Sequence, residues 1–113
     1  MNPGRHPFER RGVLPLEIER DDAHTVVHVL GDLDAATSPT LHTCLSGLLD
    51  SGTDDLVIDL LAVPFCDSSG LGVLVGAHRR LAVDGGHLAV SDPRPPVRHL
   101  LEISGLDRVF DVR

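Results

Sequence analysis

The chain has 113 residues, the size of one domain that can bury a core without disulfide support. Its formal net charge is −7 and all of its basic residues other than histidine are arginine, which argues against a nucleic-acid backbone or an anionic membrane as its partner. With three Phe and no Trp or Tyr, the chain also has few aromatic rings for stacking on nucleic-acid bases.

Cysteine use and hydropathy indicate a cytoplasmic protein. Cys44 and Cys66 form no CxxC motif and are expected to be buried thiols in a reducing compartment. No apolar run approaches the ~20 residues of a membrane span, and the first residues do not resemble a signal peptide. Residues 1–13, rich in Pro, Gly and Arg, are predicted to form a flexible N-terminal arm, and residues 14–113 the folded domain.

The folded part is predicted to begin with a β-hairpin. Leu14, Leu16 and Ile18 alternate with polar neighbours, as in a half-buried strand. After a turn at residues 21–23, the apolar run at residues 26–30 predicts a central strand. Because the connection between them is short, the two strands are expected to pair antiparallel.

Helices and strands are predicted to alternate over the rest of the chain. Thr37 and Ser38 are good helix caps, Pro39 suits a first helical turn, and residues 51–52 end that helix. A buried strand is predicted at residues 56–60, before the second helix. The expected inward side chains of the second helix are Leu71, Leu74, Val75, Leu81 and Ala82. The remaining predicted elements are a strand at residues 87–90, a third helix that buries Val97, Leu100 and Leu101, and a last strand with Val109, Phe110 and Val112.

This order of elements is typical of an α/β domain. Its small mixed sheet should be parallel over the later strands, with helices as the crossover connections. Ligands and partners usually contact such a sheet at the carboxyl ends of its parallel strands. The loop after the strand at residues 56–60 lies at such an end, and it carries the most unusual motif of the chain.

That motif is CDSSGLGVLVG, residues 66–76. Asp67, Ser68 and Ser69 can each cap a helix, although a cap needs only one such residue. Gly70 and Gly72 each cost the helix about 1 kcal/mol relative to Ala, and they leave the backbone open to close approach. The pattern favours a docking point for another protein, and helix capping alone is the alternative.

Enzyme chemistry at the serines does not fit the motif. A nucleophile elbow needs glycine two residues before the serine, whereas Ser68 and Ser69 have Cys66 and Asp67 there. A phosphate-binding P-loop needs a lysine, and the chain has none. Weak nucleotide contact at a helix N-terminus remains open. No catalytic residue and no cofactor site is predicted.

The histidines do not form a metal site. His24 and His28 share one face of a predicted strand, but four residues of strand separate them by ~13 Å. No acidic or cysteine pair in the sequence completes a tetrahedral set of ligands. The seven histidines are therefore expected to be scattered surface residues without a metal ion.

Four segments together resemble the STAS domain, in the branch of anti-sigma factor antagonists. The main one is LVIDLLAVPFCDSSGLGVLVGAHRRL at residues 56–81, preceded by VVHVLGDLDAATSPTL at residues 26–41. GGHLAVSDPRPPVRHLLEISGL at residues 85–106 and DRVF at residues 107–110 follow in the same order. The chain departs from the family pattern mildly, with Asp32 where Glu is usual and Cys66 where a larger apolar residue is common.

The resemblance implies a switch protein rather than an enzyme, built on a small mixed sheet with helices packed on one side. The unphosphorylated form would bind an anti-sigma factor that is also a serine kinase, and so free a sigma factor. The kinase would phosphorylate Ser68, a PP2C-type phosphatase would reverse this, and the turn residue Asp34 would lie beside the serine. The implied partner-binding residues are Asp34, Asp67, Ser68, Ser69, Gly70, Leu71 and Gly72.

The protein is expected to be a monomer or weak dimer that binds no nucleic acid and no membrane. A second hypothesis keeps the same fold but gives it another role. In that case the chain would be a STAS scaffold or ligand-sensing module without a kinase partner of its own. Phosphorylation of Ser68 by a kinase distinguishes the two hypotheses.

Overall fold

Five short strands and three helices alternate along residues 14–113, the part of the chain that the computed structural model describes. The expected arm at residues 1–13 lies outside these described residues. The elements are β1 (Leu16–Arg20), β2 (Thr25–Val29), α1 (Ser38–Asp50), β3 (Asp55–Asp59), α2 (Ser68–Val83), β4 (His87–Ser91), α3 (Pro95–Ile103), a 3-10 helix (Leu106–Arg108) and β5 (Asp111–Val112).

The strands form one mixed sheet in the order β1-β2-β3-β4-β5. β1 and β2 are an antiparallel hairpin, and every later pair is parallel, as the sequence predicts. Each crossover steps to the next strand in the same direction, so right-handed connections place all three helices on one face. Side-chain alternation agrees, because Val27, Ile58 and Val90 point into the core that the helices share.

The helices bury most of the side chains that their sequences predict, although Val75 and Leu100 are only half-buried and one predicted residue points outward. Ala82 is exposed, and Ala77 takes the inward position that lies between Leu74 and Leu81. The spacing of three and four residues keeps these side chains on one face of α2. The buried helical side chains of the core are Leu41, Leu45, Leu48, Leu71, Leu74, Ala77, Leu81, Val97 and Leu101.

The last strand is shorter than its sequence predicts. Gly105 adopts a left-handed conformation with φ 77°, and a 3-10 turn then brings the chain back towards the sheet. Phe110 is buried outside the strand and packs edge-on against the ring of His78, with 5.8 Å between ring centroids. Val109 and Phe110 therefore belong to the connection, and only Asp111–Val112 pairs with β4.

The face of the sheet without helices carries a charged cluster centred on His28. Its Nδ1 lies 2.6 Å from Oδ2 of Asp59, and its Nε2 contacts the carboxylate of Glu19. These hydrogen bonds, the one with Asp59 first, raise the pKa of His28. Since its ring nitrogens hydrogen-bond with carboxylates of β1 and β3, His28 links β1, β2 and β3.

Candidate functional site

Two loops are joined where β2 and β3 end. Leu33 and Cys66 form an isolated parallel bridge beyond the strands. The amide of Leu33 donates to the carbonyl of Phe65, and the amide of Asp67 donates to the carbonyl of Leu33, both at 2.9 Å. The bridge places the turn that contains Asp34 beside the start of α2, as expected from the order of the strands.

Asp67 caps the start of α2, and Ser68 takes no part in the cap. Asp67 has extended backbone angles, and its Oδ1 accepts a hydrogen bond from the amide of Ser69 at 2.8 Å. Ser69 is half-buried, whereas Ser68 is exposed. Across residues 14–113 no group hydrogen-bonds with the Ser68 hydroxyl. The motif therefore combines an aspartate cap with a free, exposed serine.

The two glycines of the motif have different roles. A Cβ at Gly70 would lie 2.8 Å from Cβ of Leu33 and 2.9 Å from Sγ of Cys66, so the position needs a glycine for the two loops to approach. A Cβ at Gly72 would meet no atom within 4 Å. Gly70 and Leu71 are both buried, so they present little surface of their own to a partner. Gly72 is exposed on the surface.

Asp34 organises the neighbouring turn. Its Oδ1 accepts hydrogen bonds from the amides of Ala36 at 2.9 Å and Thr37 at 3.0 Å. The expected side-chain caps of α1 are absent in the described residues: Thr37 makes no cap hydrogen bond, and Ser38 is buried with its hydroxyl unpartnered. Reading Asp34 as a turn-forming aspartate, with amides two and three residues later, could have identified this arrangement from the sequence.

Cys66 lies beneath the motif as a free, buried thiol. Burial, and secondarily the charge of Asp67, raises the pKa of its thiol to about 11. The thiol is therefore protonated at neutral pH, and only the thiolate is strongly nucleophilic. Burial also raises the pKa of the Cys44 thiol on α1.

Within residues 14–113 the structure has neither a metal site nor a membrane-spanning helix. Residues 14–113 contain no group of three His, Cys, Asp or Glu side chains placed to hold a metal ion. Over the same residues, no helix has the length and apolar character needed to cross a membrane. Asp67 adjoins Ser68, and Asp32 and Asp34 flank the bridged residue Leu33, so this edge of the sheet is acidic.

Comparisons with known proteins identify relatives in sequence and in fold. The STAS domain profile matches residues 15–113. An anti-sigma F factor antagonist of Paenibacillus polymyxa is 33% identical over 100 residues, which cover 88% of this chain and 86% of the relative. The crystal structure of an anti-sigma factor antagonist from Mycobacterium paratuberculosis superposes with a TM-score of 0.81 and 31% identity, covering 89% of this chain and 86% of that one.

A more distant likeness concerns the fold alone. The Bacillus cell fate determinant SpoIIAA superposes in its unphosphorylated form with a TM-score of 0.77 at 23% identity, covering 88% of each chain. Its phosphorylated form superposes with a TM-score of 0.70 at 22% identity, covering 88% of this chain and 91% of that one. The profile match over residues 15–113 and the relative that is 33% identical over 88% of this chain show that the chain belongs to the STAS domain family.

Proposed function

We propose that this chain is an anti-sigma factor antagonist that acts by binding, without catalytic turnover, in the cytoplasm. In its unphosphorylated form it binds an anti-sigma factor that is also a serine kinase, and the sigma factor is released. Phosphorylation of Ser68 ends this binding. The relatives named anti-sigma factor antagonists, one of them 33% identical over 88% of this chain, support the proposal.

The observation that carries the proposal is the Ser68 hydroxyl. It is exposed at the first turn of α2, and Asp67 already caps that helix through the amide of Ser69. Among the described residues the hydroxyl has no internal hydrogen bond that a phosphate would break. A kinase can therefore reach Ser68 and modify it at little cost to the fold. Ser69, half-buried one residue later, is the poorer substrate.

The proposed docking surface consists of the exposed or half-buried members of the motif and its neighbouring turn. These are Asp34, Asp67, Ser68, Ser69 and Gly72. Gly70 and Leu71 support this surface from below, because Gly70 lies against Leu33 and Leu71 packs into the core. The partner then meets a small hydroxyl surrounded by carboxylates and an uncovered stretch of helix.

Phosphate on Ser68 changes this surface by local electrostatics. It adds about −1.5 to −2 charges at pH 7, next to the carboxylates of Asp67 and Asp34. The partial positive charge at the N-terminus of α2 offsets part of the repulsion within the chain, so the domain stays folded. A partner shaped for a neutral hydroxyl cannot offset the new charge, and a buried unpaired charge costs several kcal/mol.

The proposed cycle needs a second enzyme and no oligomer. A PP2C-type phosphatase removes the phosphate from Ser68 and restores binding. A monomer or weak dimer is sufficient, because the proposed docking surface lies within one chain. The two solved forms of SpoIIAA share this fold, which supports a switch that leaves the architecture in place.

Phosphorylation in vitro tests the proposal. Each anti-sigma serine kinase of the source organism is purified and incubated with ATP and the wild-type chain, Ser68→Ala or Ser69→Ala. One kinase should label the wild type and Ser69→Ala equally and leave Ser68→Ala unlabelled. The same kinase should bind Ser68→Ala in titration calorimetry. The proposal fails if no kinase modifies the wild type, or if Ser68→Ala is still labelled.

A further inference from the structure

An apolar groove lies directly beside the proposed docking surface. It has a volume of about 180 Å³ and runs between the loop before α2 and the outer side of α3. The residues that line this α3 groove are Phe65, Cys66, Pro96, His99, Leu100 and Ile103. Phe65 is 51% exposed and Ile103 67% exposed, so the groove presents apolar surface to solvent.

The helix α3 is apolar on two sides, and the core explains only one of them. Val97 and Leu101 are buried against the sheet. Pro96, Leu100 and Ile103 follow at helical spacing on another side, where they line the groove, and of these only Leu100 also packs partly against the core. A helix on the surface of a domain usually presents polar side chains outward, and contiguous exposed apolar surface marks an interaction site.

The groove and the switch serine belong to one fixed piece of backbone. The carbonyl of Phe65 accepts a hydrogen bond from Leu33, and Asp67 donates to the same residue, at 2.9 Å in each case. Earlier in the loop, the amide of Leu61 donates to Oδ1 of Asp59 at 3.0 Å, and its carbonyl accepts from Nε of Arg94 at 2.7 Å. The loop is therefore held by β3, by the turn after β2 and by the start of α3.

The proposed docking surface lacks an apolar centre of its own. Its members are carboxylates, hydroxyls and a glycine, and Leu71, the one apolar residue expected there, is 6% exposed. Stable interfaces place apolar or aromatic side chains at their centre and polar groups at their rim. An interface of ordinary size covers about 20–30 residues on each side, so a partner seated on Ser68 also reaches Phe65, three residues earlier.

We propose that the α3 groove receives an apolar side chain of the same anti-sigma kinase that binds at Ser68. The inference rests on the proposed function and adds a second contact region to it. Phe65 and Ile103 form the walls that the apolar side chain of the kinase contacts. The acidic surface around Ser68 forms the polar part that senses phosphate. Affinity thus comes largely from the α3 groove, and control comes from the surface around Ser68.

Titration calorimetry with the kinase that phosphorylates Ser68 tests the groove. Phe65→Ala and Ile103→Ser should each weaken binding of the unphosphorylated chain by at least about tenfold. Val83→Ser is the matched control, because Val83 is also an exposed apolar residue but lies away from the groove. It is 85% exposed at the C-terminal end of α2. This control should change the affinity less than about twofold. Circular dichroism melting verifies that all variants are folded.

The possible outcomes separate this inference from the proposed function. Unchanged affinity in both groove variants, with Ser68 still phosphorylated, overturns the groove and leaves the switch intact. Failure of every kinase to bind the wild type overturns both. Sedimentation velocity tests whether a second copy of the chain occupies the groove. A dimer that Ile103→Ser dissociates, with kinase binding unaffected, would assign the groove to self-association and contradict the inference.

Discussion

The first turns of α1 and α2 have similar chemistry and opposite exposure. Each is preceded by an aspartate that accepts backbone amide hydrogens, Asp34 before α1 and Asp67 at α2. Each also places a serine at its first helical residue. Ser38 of α1 is buried with an unpartnered hydroxyl, whereas Ser68 of α2 is exposed. Residue type alone thus does not distinguish a buried serine from an exposed one.

The difference arises from how each helix packs. The turn before α1 is closed against the start of the helix. The hydroxyl of Thr37 accepts a hydrogen bond from the amide of Asp34 and donates one to the carbonyl of Asp32. The start of α2 is instead held from below by the contact of Gly70 with Leu33. Its outer side remains uncovered over the described residues. One helix start closes the fold, and the other remains exposed.

The largest expected effect is that of phosphate on Ser68. We expect the phosphorylated chain to bind its kinase about a thousandfold more weakly, because an uncompensated charge in an interface costs about 3–5 kcal/mol. Titration calorimetry of the two forms measures this, with circular dichroism as the check on folding. Ser68→Asp should act in the same direction with a smaller effect, since its charge is smaller. Equal affinities would contradict the switch, and a lost spectrum would contradict its local character.

The two glycines of α2 should respond to alanine with opposite signs. Gly70→Ala should destabilise the domain, because overpacking against Leu33 and Cys66 costs about 1–3 kcal/mol. Gly72→Ala should stabilise it by up to about 1 kcal/mol, since its Cβ would meet no neighbour and alanine is the better helix former. Urea unfolding of both variants measures the free energies. A stabilising Gly70→Ala would show that the approach of the two loops is not tight.

The two aspartates should differ in their contribution to stability. Asp34 accepts two backbone amides, whereas Asp67 accepts one. We therefore expect Asp34→Ala to lower the free energy of unfolding by about 2 kcal/mol and Asp67→Ala by about 1 kcal/mol. Asp34→Asn keeps an acceptor oxygen and should recover most of the loss. Equal losses in urea unfolding would contradict the greater structural role of Asp34.

Much of the fold follows from patterns that a single sequence contains. Alternation in the first strand, apolar runs in the later ones and helical stripes in between predict the mixed sheet and its order. The predicted last strand is too long, because Phe110 is buried in the core although it lies outside the sheet. Ala82 points outward, because a small apolar residue is compatible with either side of a helix. In both cases apolar character alone does not determine whether a residue pairs in a strand or which side of a helix it occupies.

The candidate site was predictable in position and less so in the role of each residue. The strand order placed Asp34 near the second helix, because the carboxyl ends of adjacent parallel strands share an edge. The roles of Gly70 and Leu71 depend on the contact with Leu33, which joins loops more than thirty residues apart in the sequence. Local patterns do not contain such contacts. The groove at Phe65 and α3 was missed for the same reason.

The smallest expected effect concerns Ser38, the buried counterpart of Ser68. Its side chain is 4% exposed, and its hydroxyl has no hydrogen-bond partner within residues 14–113. A buried polar group without a partner costs about 1–3 kcal/mol, so Ser38→Ala should stabilise the domain by about 1 kcal/mol. Alanine is also the better helix former. The melting temperature should rise by about 4 °C or more in a domain of this size.

Ser68→Ala is the matched control for that measurement, because it removes the same hydroxyl from the first residue of the neighbouring helix. An exposed hydroxyl is hydrated in both the folded and the unfolded chain, so its removal should change the free energy of unfolding by less than about 0.5 kcal/mol. Conversely, only Ser68→Ala should abolish phosphorylation. A destabilising Ser38→Ala would mean that its hydroxyl is satisfied by bound water, and the two helix starts would then differ in exposure alone.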